Sequence, residues 1–153
     1  MAFELSSPAF KQGEAIPTRY TCDGKDVSPP LSWKDVPEKT QILALIADDP
    51  DAPVGTWVHW VLYHVPASAR TLAENVPKTE TLSDGSRQGV NDFGKPGYGG
   101  PCPPRGTHHY FFKLYALDFA PALAPHATKH QLEAAMNGHI LAEAQLMGTY
   151  QRH

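Results

Sequence analysis

The order of apolar runs and turn signals along the chain predicts a mainly β protein, an antiparallel sandwich with peripheral helices, one of them near the C-terminus. Three observations carry that expectation. Gln41–Asp48, Trp57–Val65 and His108–Leu117 are short, strongly apolar runs of strand length. Fifteen prolines and twelve glycines punctuate the 153 residues more often than a helical bundle tolerates. Helical spacing appears in one long stretch only, so the helices that a doubly wound α/β fold needs between its strands are missing.

In the first forty residues, short apolar touches alternate with the turn signals Asp23-Gly24, Ser28-Pro29-Pro30 and Val36-Pro37. Strands are expected there around Arg19–Cys22 and Leu31–Trp33. Gln41–Asp48 (QILALIAD) ends at Asp49-Pro50 and reads as a buried strand. In Trp57–Val65 (WVHWVLYHV), period-two geometry puts Trp57, His59, Val61 and Tyr63 on one face and Val58, Trp60, Leu62 and His64 on the other. Both faces are bulky, as in a central strand packed on two sides. His108–Leu117 (HHYFFKLYAL) likewise sets His108, Tyr110, Phe112 and Leu114 against His109, Phe111, Lys113 and Tyr115. The preceding Gly94–Gly106 is too rich in Gly and Pro for regular structure. The last element is expected as a helix from about Lys129 to Met147. Thr128 with Gln131 forms a capping box, Leu132, Met136, Ile140 and then Ala144 or Met147 make an apolar stripe, and Gly148 supplies a stop.

A chain of this length is expected to form one domain, residues 1–153, with enough core to fold without a metal or disulfide. At 41% hydrophobic and 19% charged, its composition is that of an ordinary globular protein. A net charge of −3, with acids and bases mixed and no Lys/Arg cluster, argues against nucleic acid or an anionic membrane as partner. The longest purely apolar run, Ile42–Ala47, is far short of the ~20 residues that span a bilayer. Met1–Phe10 lacks the basic start and apolar stretch of a secretory signal. A soluble, cytoplasmic protein is therefore expected. Cys22 and Cys102 are expected as reduced thiols, with a bridge as the alternative in an oxidising setting.

Two constellations carry chemistry. Asp48-Asp49-Pro50-Asp51-Ala52-Pro53 is followed within a few residues by Trp57-Val58-His59-Trp60. Gly99-Gly100-Pro101-Cys102-Pro103-Pro104 leads through Gly106 into His108-His109-Tyr110. In each, a turn-rich segment at a strand end delivers polar residues beside an imidazole, as binding sites on rigid scaffolds commonly do. If the two strands lie close together, Trp57, His59, His108 and Tyr110 line one pocket, and Asp49 and Asp51 share a side where the backbone is extended. Imidazole, with a reference pKa of ~6.5, offers a charged or neutral N–H donor at cellular pH. A nearby carboxylate favours the protonated ring and fixes its tautomer, and a Gly-rich loop adds backbone donors. Such a set suits a small anion, phosphate or carboxylate. His64, His126, His130, His139 and His153 have no comparable setting and are read as ordinary core or surface residues.

The stretches DPDAP, WVHW, GPCPP and GTHHYFFKLYAL resemble the two signature regions of the phosphatidylethanolamine-binding protein family. SPAF, RYTCDG, SPPLSW, NDFG and GYGGPCPP are similar to its bacterial, Raf kinase inhibitor-like branch. The likeness runs from about Ser7 to the C-terminal helix. The resemblance implies two antiparallel sheets, one of them central, with a small pocket opening at the surface. It implies pocket residues at Asp49, Asp51, Trp57, His59, His108 and Tyr110, with Gly100 and Pro101 at the rim. The family includes binders of phosphorylated head groups, kinase-pathway modulators and a carboxypeptidase inhibitor, so the fold does not settle function. Eukaryotic members carry a longer C-terminal region over the pocket; a more open site is expected here, with Tyr150 the nearest substitute.

The leading expectation is a non-catalytic binding protein with no cofactor, its ligand a small anion or phosphorylated head group. His59 and His108 would donate hydrogen bonds, Asp49 and Asp51 would orient them, and Trp57 and Tyr110 would form walls. An inhibitor of a protein kinase or protease rests on the family likeness alone. A metal-assisted hydrolase would draw on the two Asp and two His, but neither constellation holds the tight H-x-x-x-H type of spacing. A serine hydrolase lacks the G-x-S-x-G elbow, and Cys102 lies between two prolines rather than at a helix start. A homodimer is compatible with the sequence, although no residue argues for one.

Overall fold

The computed structural model describes residues 2–152. Strands β1 (Glu4–Ser6), β2 (Leu31–Lys34), β3 (Ile42–Asp49), β4 (Trp57–Pro66), β5 (Thr71–Leu72), β6 (Arg87–Gln88) and β7 (Gly106–Leu117) precede a helix, α1 (Lys129–Met136), and a last strand, β8 (Ile140–Arg152). A central sheet runs in the order β6-β4-β3-β7-β8, and a smaller one in the order β1-β2-β5. Every pairing between these strands is antiparallel. This is the mainly β, two-sheet architecture that the sequence predicts.

β3 sits at the middle because its aliphatic run has no polar side to turn to water. Leu43, Leu45 and Ala47 pack with Trp60, Leu62, Phe112 and Leu114 into a core shared with the smaller sheet through Leu5, Leu31 and Trp33. Ala44 and Ile46 point the other way and pack with Val61, Tyr63 and the α1 residues Leu132 and Met136. The layers are therefore small sheet, central sheet and helix. Among the described residues no helix is long and apolar enough to cross a membrane.

Strict alternation along β4 does not hold. Ala47 pairs with Trp60 while Asp48 pairs with Val58, so β4 carries one extra residue at His59. A bulge of this kind bends the strand and re-aims its side chains. It leaves Val58 on the same side as Val61 and Tyr63, under the helix, whereas Trp60 and Leu62 enter the larger core. His59 is thereby released from the register that would have set it beside Val61 and Tyr63.

The expected long C-terminal helix is corrected to a short helix and a long strand. The capping box is as expected: Thr128 Oγ1 accepts from Gln131 N–H and the Gln131 side chain accepts from Thr128 N–H. The helix then ends at Met136, and Gly138, at φ +83°, turns the chain into β8. From there Ala144 and Leu146 are buried and Glu143 and Gln145 exposed, a period of two. Its Ala, Glu, Gln, Leu and Met content favours a helix locally, and pairing along the whole of β7 overrides that preference. Gly148 is no helix stop but lies opposite Tyr110 in the ladder. A Cβ there would come within 2.6 Å of Ile16 Cγ1 and 2.7 Å of Phe10 Cε2. The strand expected at Arg19–Cys22 is likewise a 3₁₀ turn, Thr18–Tyr20.

Candidate functional site

The C-terminal end of β3 and the N-terminal ends of β4 and β7 come together at one end of the central strands. A cavity of about 220 Å³ opens there, lined by Asp49, Trp57, His59, His108 and Tyr110 together with Phe93 and the two proline-rich loops. The residue spacing of β7 sets His108 and Tyr110 on one side, and their rings stack with centroids 6.4 Å apart. The β4 bulge brings His59 edge-on to Tyr110 at 5.2 Å.

Asp49 is buried, and both its oxygens are engaged. Oδ2 accepts from His108 Nδ1–H at 2.6 Å and Oδ1 accepts from Asp51 N–H at 2.8 Å. A carboxylate can only accept, so the His108 proton is fixed on Nδ1 and Nε2 is the ring atom left for a ligand. His59 is held in the same sense from the opposite wall, Nδ1–H donating to the Gly99 carbonyl at 2.6 Å. Burial pushes the His59 pKa below the ordinary histidine range, against a smaller opposing effect of the Gly99 carbonyl. At neutral pH His59 therefore offers the cavity a lone pair on Nε2, not the N–H donor expected for it.

Tyr110 supplies the third polar group. Its ring lines the cavity, its hydroxyl is buried, and that hydroxyl has no hydrogen-bond partner among the described residues. Burial pushes its pKa well above the usual phenol value, so it is a neutral O–H that can donate as well as accept. An unpaired buried hydroxyl costs about 1–3 kcal/mol, which a ligand atom can recover.

Three of the anticipated residues stand behind the wall. Asp51 lies outside the cavity and accepts from both N–H and Nδ1–H of His109, at 2.9 and 2.7 Å. The hydrogen bond from His109 holds its carboxyl below the usual range. Gly100 donates its N–H to Asp26 Oδ1 at 2.7 Å, and Pro101 accepts from Cys22 N–H at 3.1 Å. Gly100 passes so close to its neighbour that a Cβ would lie 2.3 Å from the Tyr20 carbonyl oxygen. The Gly100 and Pro101 bonds fix the loop 99–104, and it is Cys102, Pro103 and Pro104 further along that line the cavity.

Cys22 and Cys102 are not free thiols. They form a disulfide, Cα–Cα 5.4 Å, that ties this loop to the turn after Tyr20. Tyr150, opposite His108 in the ladder, braces the same turn by donating to Asp23 Oδ2 at 2.6 Å, and Arg152 pairs with Asp23 at 2.5 Å. Phe93 was not anticipated as a wall residue. It stands in the NDFG stretch and packs edge-on against Trp57 and His59, at 5.5 and 5.6 Å. Val54, also in the wall, is 84% exposed at the mouth. Both were concealed in loops where apolar residues have no periodic signal.

No Lys or Arg lines this cavity. Among the described residues no group of three or more His, Cys, Asp or Glu side chains is arranged to hold a metal ion. Asp49 pairs with His108 and Asp51 with His109, while His59 bonds to the Gly99 carbonyl.

The chain is thus a two-sheet β protein with a His- and Tyr-lined cavity at one end of its central strands. The sequence profile of the phosphatidylethanolamine-binding protein family matches residues 6–151, and the chain belongs to that family. It is 54% identical to a UPF0098 protein of Aquifex aeolicus, over 97% of this chain and 88% of that one. A UPF0098 protein of Methanothermobacter thermautotrophicus is also 54% identical, over 97% of this chain and 98% of its own length. Among solved structures, CT736 of Chlamydia trachomatis, described as a homologue of this family, superposes with a TM-score of 0.92 at 43% identity, covering 99% of both chains. YbcL of E. coli, described as a member of the mammalian family, gives 0.92 at 33% identity over 100% of both.

Proposed function

We propose that the chain is a non-catalytic binding protein whose cavity takes a small phosphate- or carboxylate-bearing ligand. The observation that carries this reading is the buried Tyr110 hydroxyl without a partner, between two imidazoles whose Nδ1 atoms are already engaged. Three polar atoms thus remain for a ligand: Tyr110 Oη, His59 Nε2 and His108 Nε2. Because His59 accepts, the ligand must bring a donor as well as acceptors. A singly protonated phosphate monoester has both, an O–H for His59 and free oxygens for Tyr110 and for a protonated His108. Singly protonated phosphate, the form that carries both, becomes more abundant as pH falls through about 6–7.

Calorimetric titration with inorganic phosphate and O-phosphoethanolamine between about pH 8 and pH 6 tests the reading. Binding tightens toward the acidic end if it is right; a flat profile rejects the imidazole role. The exposed Val54 at the mouth favours a second source of the same chemistry, a phosphorylated side chain presented by a partner protein such as a kinase. For that source, His108→Ala abolishes recovery of the partner in a pull-down, and unchanged recovery rejects it.

A further inference from the structure

A second cavity, of about 300 Å³, lies on the other side of Phe93. Its wall includes Asp26, Lys78, Lys95 and Gly99, and Phe93 lines both cavities. Gly99 is the other shared element, since its carbonyl holds His59 in the first cavity while its backbone lines the second. A Cβ on Gly99 would lie 2.5 Å from Phe93 Cδ2, so the ring is seated directly on this glycine.

The backbone beneath Phe93 is fixed. Asn91 is buried, its Oδ1 accepting from Phe93 N–H at 2.9 Å and Lys95 N–H at 3.3 Å, its Nδ2 donating to Gly97 O at 2.9 Å. The ring itself is held only lightly. It is 42% exposed, with edge contacts to Trp57 and His59.

The two cavities differ in charge. The first holds the Asp49 carboxylate and no Lys or Arg. The second has two lysines to one carboxylate. Lys78 Nζ donates to the Asp26 carbonyl at 2.7 Å and lies 3.8 Å from Asp26 Oδ2, while Asp26 Oδ1 is taken by Gly100 N–H. Lys95 makes no ion pair among the described residues. The second cavity thus sets two permanent cations across Phe93 from the first.

We infer that the two cavities are halves of one cleft partitioned by Phe93, which takes a ligand with two acidic groups, one among His59, His108 and Tyr110 and the other at Lys78 and Lys95. This rests on the anion-binding reading of the first cavity and names the ligand class for it: a phosphate joined by a short spacer to a second phosphate or carboxylate.

The probes are inorganic phosphate and a series of ω-phosphonocarboxylates of increasing chain length, titrated at constant ionic strength and followed by calorimetry and by the histidine ring signals. Affinity rises above that of phosphate once the spacer spans Phe93, by about three- to tenfold for a partly exposed charge pair. Lys95→Ala and Lys78→Ala remove that gain and leave phosphate affinity within about twofold, because neither lysine lines the first cavity. Phe93→Ala, at an exposed position that the fold does not need, keeps the gain and shifts it to shorter spacers. If phosphate perturbs the rings but spacer length and the lysines make no difference, the cleft is wrong and the first cavity stands alone. Equal loss of phosphate and long-probe binding in the lysine variants also overturns it, since that is a general field and not a subsite. If no probe perturbs either ring, both the cleft and the anion-binding reading fall.

Discussion

At the scale of single residues, the charge state of His59 is set by burial. Its folded pKa lies below the unfolded value of ~6.5 because the charged ring would lose its hydration. The unfolded chain therefore takes up this proton first. The stability that a neutral His59 contributes is present above about pH 6.5 and is lost as pH falls from there toward the lowered folded value. His59→Gln should flatten the pH dependence of unfolding free energy below about pH 6.5. An identical pH dependence in the two proteins would show that the ring titrates in the fold as it does in the unfolded chain. Tyr110 makes a complementary case. Tyr110→Phe removes a buried hydroxyl without a partner, so the ligand-free protein should lose no stability and gain up to about 1–3 kcal/mol, while phosphate affinity falls about fivefold. A loss of stability with unchanged affinity would mean that the hydroxyl serves the core and not a ligand.

At the scale of elements, the seating of β8 on the N-terminal segment is testable at Gly148. Ile16 N–H donates to Thr149 O at 2.7 Å and Thr149 N–H to Glu14 O at 3.0 Å, which covers this stretch of the strand's outer edge. Gly148→Ala would drive a methyl group into Ile16 and Phe10, both buried, at a cost of about 1–3 kcal/mol in chemical denaturation. A neutral substitution would contradict the packing of that segment on β8. The same strand shows where the sequence was and was not legible. β3, β4 and β7 were readable because long apolar runs between turn signals have few alternatives. In Ile140–Leu146, positions 140 and 144 satisfy a helical stripe while 142, 144 and 146 satisfy a strand, and helix-forming residues tipped the reading. Asn137-Gly138 was the overlooked turn signal. Asp49, His59, His108 and Tyr110 were legible as a site because turns at strand ends announce them. The β4 bulge was not, since an extra residue in one strand is defined only by its partner. The fate of Asp51 depended on which histidine it met, and spacing cannot choose between His108 and His109.

At the scale of the molecule, the Cys22–Cys102 bridge closes a loop across a sequence separation of 80 and also forms part of the cavity wall. On the chain-entropy account a loop of that length is worth about 4–5 kcal/mol. Reduction, or the Cys22→Ser and Cys102→Ser pair, should lower stability by about that amount and loosen the loop 99–104. Unchanged melting under reducing conditions would show that the hydrogen bonds Gly100–Asp26 and Cys22–Pro101 hold the loop unaided. Ligand binding in the cavity is tested by titration of inorganic phosphate and O-phosphoethanolamine while the histidine ring signals are followed by NMR, with His59→Ala and His108→Ala alongside. Saturable shifts at His59 and His108, abolished by either substitution, are the expected result. Rings that ignore both ligands would contradict it.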